Sequence, residues 1–113
     1  MNYWSIVGLE RTKATPKQKE QNLILKVCEM YDVTLENLTS KTRLRQVVEA
    51  RYILFYILHK IQRRTSTEVG NLFSRDHATV LHGCNTIAGF IEFDKNFEEK
   101  ISKLINENKY NLK

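Results

Sequence analysis

Between Val80 and Ile91 the apolar residues Val80, Leu81, Cys84, Ile87, Ala88 and Ile91 fall at i, i+1, i+4, i+7, i+8 and i+11. Only an α-helix gathers that spacing onto one side. At about 100° per residue the same helix turns Arg75, Ala78, Thr79, His82 and Thr86 to its opposite face. Just upstream, Glu68-Val69-Gly70-Asn71-Leu72-Phe73 forms a short element that breaks at Ser74-Arg75. A short helix, a tight turn and a longer helix with a polar outer face make the helix-turn-helix pattern. With one proline, four glycines and no alternating strand pattern in 113 residues, the expected fold is all-α, in five to six helices around one core.

The remaining elements declare their ends. Thr15-Pro16-Lys17-Gln18 is a capped helix start with proline at the first helical position, and Leu23, Ile24 or Leu25, Val27, Cys28 and Tyr31 carry that helix to Tyr31. Thr34 caps a short element through Leu38. Leu44, Val47, Val48, Arg51, Phe55 and Leu58 mark one face of a long helix reaching about Arg63. Its run Ile53–Leu58 is apolar all round, so this helix is central. Thr65 offers another cap. Asp94 opens a last helix, Lys95 to about Asn108, carried by Phe97, Ile101, Leu104 and Ile105. Residues 1–14 show no pattern and stand as an extension to a domain spanning 15–110.

The net charge of +5 is concentrated. Residues 41–64 hold seven Lys/Arg against one acidic residue, whereas residues 1–40 balance at five each and residues 65–113 hold six against seven. Clustered cations beside an ordered element are the footprint of a polyanion-binding surface. Lys60, Arg63 and Arg64 fit equally well as partners of a helix C-terminus. Lys41, Arg43 and Arg45 precede a helix, where its dipole disfavours them, so they ask for another reason.

Asp76-His77 invites a catalytic or metal reading, and spacing argues against both. Adjacent helical residues point about 100° apart, too far for Asp76 to orient His77 as a base, and no nucleophile setting accompanies them. Asp76, His77, His82 and Cys84 lack the i, i+3 or i, i+4 spacing that converges on zinc. No phosphate-cradling glycine loop occurs, so no catalytic residue, metal or cofactor is expected. An aspartate at the start of a recognition helix can accept from cytosine N4, and its histidine neighbour can meet a thymine methyl or a base acceptor. A plain N-cap for Asp76 and a packed surface imidazole for His77 fit the periodicity as well. The absence of a membrane-length apolar run or secretory leader, and two cysteines outside any C-x-x-C, lead one to expect a cytoplasmic protein.

The string RDHATVLHGC, Arg75 to Cys84, resembles the R-D-H-T-T-V-L-H-A-C signature of the C-terminal DNA-binding domain of the bacterial replication initiator DnaA. Leu35-Glu36-Asn37-Leu38, Ser40-Lys41, Arg43, Arg45, Val47 and Arg51, then Glu68-Val69-Gly70 and Phe73, extend the likeness over roughly Pro16 to Ile91. The resemblance implies a helix-turn-helix related to Trp repressor that binds a duplex DnaA box largely as a monomer. By that likeness Arg43 enters the minor groove, and Asp76, His77 and Ala78 read bases in the major groove. Lys41, Arg45, Arg51, Thr67, Arg75, Thr79 and His82 then face the phosphate backbone. About five neutralised phosphates would give a slope of log K against log salt near −4 to −5.

Ala78 departs from the family's threonine, Ser74 stands where the family has Gly-Gly, and Glu49 replaces a common arginine. No ATPase or N-terminal partner-binding domain accompanies the module, so a free-standing regulator of replication initiation or transcription, without ATPase activity, is expected. A dimeric transcription regulator joined through residues 1–14 or the last helix, or a protein-interaction module of the same shape, are the rival readings.

Overall fold

A computed structural model of the chain describes residues 16–110. Thr15 and the segment 1–14, including Tyr3, Trp4 and Ile6, lie outside those residues. Six α-helices follow one another: α1 Pro16–Tyr31, α2 Leu35–Thr39, α3 Arg45–Tyr56, α4 Ser66–Leu72, α5 His77–Phe93 and α6 Lys95–Tyr110. No strand occurs among the described residues, and no helix there is long and apolar enough to cross a membrane.

Side chains set most helix starts. Thr34 accepts from the Asn37 N–H at 3.0 Å while Asn37 Oδ1 accepts from the Thr34 N–H at 3.1 Å, a reciprocal box that starts α2. Thr65 and Glu68 form the same device at α4, and the bonds from Thr65 hold the Glu68 carboxyl below its usual range. Asp94 Oδ1 accepts from the Phe97 N–H at 3.2 Å at the start of α6.

Helix α3 is the spine. Ala50, Ile53, Leu54 and Phe55 are wholly buried, and α3 packs against α1, α2 and, most extensively, α5. It continues into a wider π-type turn, Ile57–Ile61, in which the Gln62 N–H donates to the Ile57 carbonyl at 2.9 Å. That turn shortens the helix relative to the Arg63 end expected from periodicity. Arg63 instead takes a left-handed backbone, φ 62°, as the chain reverses. His59 Nδ1 lies 2.7 Å from the Arg64 carbonyl, and since a carbonyl only accepts, Nδ1 donates and braces the reversal. Leu44, expected on the buried face, is 62% exposed, because the residue at the N-cap of α3 precedes the first packed turn.

Helices α1 and α6 close the core through Leu23, Val27, Phe97, Ile101 and Leu104, and α6 also packs along α5, where the Phe90 and Phe97 rings meet edge to face. Here Lys100 Nζ donates to the Tyr31 hydroxyl at 2.9 Å, and that hydroxyl donates to Glu49. The Lys100 ammonium also sits 4.9 Å from the Tyr31 ring centre and 5.0 Å from that of Phe97. Burial, then the Glu49 bond and charge, push the Tyr31 phenol well above its ordinary range. Glu49, a departure from the family pattern, thus has a structural partner on α6.

Candidate nucleic-acid interface

The basic stretch before α3 is an ordered loop. Ser40 Oγ donates to the Asn37 carbonyl at 2.8 Å and accepts from the Thr42 N–H at 3.3 Å; Thr42 Oγ1 accepts from the Leu44 N–H at 3.3 Å. Such side-chain bonds to the backbone shape a loop that has no helix ladder to hold it. Lys41, Arg43 and Arg45 all project to the exposed surface. Ion pairs join Arg64 to Glu20 and Lys100 to Glu49, whereas Lys41, Arg43 and Arg45, the last already the first residue of α3, take part in none among the described residues.

The second half of the site is the mouth of α5. Asp76 caps the helix, its Oδ1 accepting from the Thr79 N–H at 2.9 Å. Bonds from Thr79, side chain and then backbone, hold the Asp76 carboxyl below its usual range. One carboxylate oxygen is engaged and the carboxylate keeps further acceptor sites outward, so capping and base acceptance are compatible uses of the same residue. Asp76, His77 and Ala78 are exposed, and Thr79 is half-buried beside them. The first turn of α5 therefore projects beyond the core, although the helical wheel puts His77 near the apolar edge.

The apolar stripe is also narrower than its pattern. Val80, Gly83, Cys84 and Ile87 are buried, while Leu81 is 39% exposed and Ala88 is exposed. The buried face is centred on Gly83, which periodicity overlooked. A Cβ there would lie 2.8 Å from both Phe55 and Tyr52, so the missing side chain lets α5 settle against α3. Tyr52 then meets the exposed His82 ring edge to face, centroids 5.8 Å apart. Cys84, deep in this contact, has its thiol pushed up by burial and is a core residue. Among the described residues no three of His, Cys, Asp and Glu gather as metal ligands would.

Gly70 makes the turn between α4 and α5. Its carbonyl accepts from Phe73 at 3.0 Å and Arg75 at 2.8 Å, and a Cβ at Gly70 would stand 2.4 Å from the Arg75 carbonyl oxygen. Ser74 completes the turn in a left-handed conformation, φ 58°, a region that favours glycine. Thr67 is exposed in the first turn of α4.

Two expected phosphate contacts are engaged by the protein's own carbonyls, Arg51 buried and Arg75 half-buried. Arg51 is 4% exposed; its Nε donates to the Leu38 carbonyl at 2.9 Å, and its Nη2 to Asn37 and Ser40 at 3.3 and 3.2 Å. Burial, then the neighbouring Arg75 charge, lower its pKa. Arg75 Nη1 donates to the Phe73 and Ser74 carbonyls at 3.0 and 3.2 Å, and Nη2 to the Ser40 carbonyl. The cause is local: the Leu38 carbonyl in α2 and the Ser40 carbonyl just after it lie within reach of the two guanidinium groups, which donate to them.

The model of the bacterial DnaA helix-turn-helix matches residues 21–87 of this chain, more than half of it, and spans both the basic loop and the turn before α5. The chain belongs to the bacterial DnaA helix-turn-helix family. Domains of this DnaA class bind DNA and are not catalytic. The chromosomal replication initiator protein DnaA of Bacteroides thetaiotaomicron is 36% identical over 83 residues, 72% of this chain and 18% of that protein. The protein of the same name from a Wolbachia of Brugia malayi is 34% identical over 80 residues, 70% of this chain and 17% of the relative. The DnaA of a Nostoc species is 27% identical over 107 residues, 94% and 22% respectively. The chain spans about a fifth of the length of these DnaA relatives.

Proposed function

We propose that this chain binds double-stranded DNA sequence-specifically, at sites resembling the DnaA box, as a monomeric domain of residues 15–110 acting in the cytoplasm at the start of replication. Helix α5 enters the major groove by its first turn, where Asp76, His77 and Ala78 meet base edges. Arg43 reaches the adjacent minor groove. Lys41, Arg45, Thr67, Thr79 and His82 lie along the phosphates. The observation that carries this reading is the side-by-side arrangement of an exposed, unpaired cationic loop and an exposed helix mouth, joined at the Ser40 carbonyl. The two halves divide the work, since cations position the duplex and base-edge contacts specify its sequence.

Arg51 and Arg75 are engaged by the protein's own carbonyls, so three exposed cations, Lys41 and Arg45 on the phosphates and Arg43 in the minor groove, remain to displace counterions from the duplex. The expected slope of log K against log salt is then about −3, shallower than the value implied by five contacts. Selection of bound duplexes from a random pool tests the proposal directly. Enrichment of DnaA-box-like sequence supports it. Equal recovery of all duplexes, or binding insensitive to salt, rules it out. The mass of the free and bound protein in solution tests the monomer.

A further inference from the structure

Arg51 from α3 and Arg75 from the turn before α5 converge on one acceptor, the Ser40 carbonyl, although like charges repel. No ion pair of the described residues includes either of them. Carbonyls alone hold them: Leu38, Asn37 and Ser40 for Arg51, and Phe73, Ser74 and Ser40 for Arg75. Arg75 therefore bonds both to the turn that launches α5 and to the residue that opens the basic loop, 35 positions away in sequence. Beyond Ser40 the loop is held by the Ser40 and Thr42 hydroxyls, so the chain from the clamp to Arg43 has little freedom. The separation between Arg43 and the Asp76-His77 tip is thus established by the protein's own bonds before any partner arrives.

We infer that Arg75 is a positioning residue: through the Ser40 carbonyl it sets the span between the loop 41–45 and the first turn of α5, so that the two can occupy neighbouring grooves together. The inference rests on the DNA reading proposed above. Ordering a loop on binding weakens the complex, and a loop ordered in advance avoids that loss. A planar guanidinium reaches carbonyls on two sides at once, which a lysine ammonium on its flexible stem does not reproduce.

The test compares the full chain with Arg75→Lys, which keeps the charge and removes the fork. Binding to a pool-selected duplex and to an unrelated duplex is measured across a salt series, with thermal unfolding by circular dichroism alongside. Arg75→Lys is expected to lose about tenfold of its preference for the selected duplex, on the scale of one charge-assisted hydrogen bond. Its affinity for the unrelated duplex and its salt slope stay those of the wild type. Preference retained within about twofold means that a point charge suffices, as for a phosphate contact, and overturns the inference while leaving the DNA reading intact. A wild-type chain that neither prefers a sequence nor responds to salt overturns the DNA reading and the inference with it. Should Arg75→Lys not fold, Thr42→Ala loosens the same loop without touching a charge. A lost preference at unchanged salt slope supports the role of the preset span, and an unchanged preference overturns it.

Discussion

The two sides of α3 treat positive charge in opposite ways. Toward α1 and α6, two cations meet carboxylates within the protein: Arg64 pairs with Glu20, and Lys100 lies 3.9 Å from Glu49 while bonding Tyr31. Toward α5, Lys41, Arg43 and Arg45 stand exposed without a carboxylate, and Arg51 and Arg75 beneath them are held only by carbonyls. Carbonyl bonds fix a guanidinium in place but leave its charge uncompensated, so positive charge on the loop side is not cancelled by a carboxylate. Net charge alone says nothing of this division; it follows from where the few acidic residues fall.

Breaking the turn that joins the two halves of the interface should have the largest effect. Gly70→Ala forces a Cβ against the Arg75 carbonyl oxygen, a backbone atom that cannot swing aside. A loss of about 2–3 kcal/mol in denaturant-derived stability is expected, with loss of DNA binding at any temperature where the turn opens. Next come the tip and the loop, which should fail differently. His77→Ala should relax sequence choice by about 1–3 kcal/mol between correct and mismatched duplexes, whereas Lys41→Ala should weaken all duplexes alike and reduce the salt slope by about 1. Identical behaviour of the two variants would erase the division between reading and positioning.

On the paired side, Glu20→Gln should cost under about 1 kcal/mol, because the Arg64 pair is part exposed and screened. DNA affinity in that variant should match the wild type; a change would show that the α1 side also contributes. The smallest effect is a gain. Ser74→Gly relieves a left-handed backbone and should stabilise the fold by about 0.5–1 kcal/mol, read as a shift in the denaturation midpoint at constant slope.

Much of the fold was legible because helix ends are written locally. Thr34, Thr65, Asp76 and Asp94 cap their helices within three residues of chain, and the expected start of α1 and end at Tyr31 match the structure. The all-α class and the short-helix, turn, long-helix order likewise follow from local pattern. The buried face of α5 was less legible, since a glycine adds nothing to an apolar stripe, yet Gly83 is where α5 meets Tyr52 and Phe55. A close-packed glycine amid apolar residues on a helix is the signal that could have revealed it. The π-type turn after Tyr56 had no sequence mark of its own.

What the sequence by itself determined is the inventory: helices, their caps, an Asp-His pair at a helix start and a surplus of cations confined to residues 41–64. The tertiary structure alone decided which cations face outward. Periodicity describes one helix at a time, whereas the acceptors that draw Arg51 and Arg75 inward are carbonyls at the end of α2, eleven and thirty-five residues away at Ser40. A guanidinium goes where unpaired carbonyls converge, and that convergence exists only once α2, α3 and the turn before α5 have packed together.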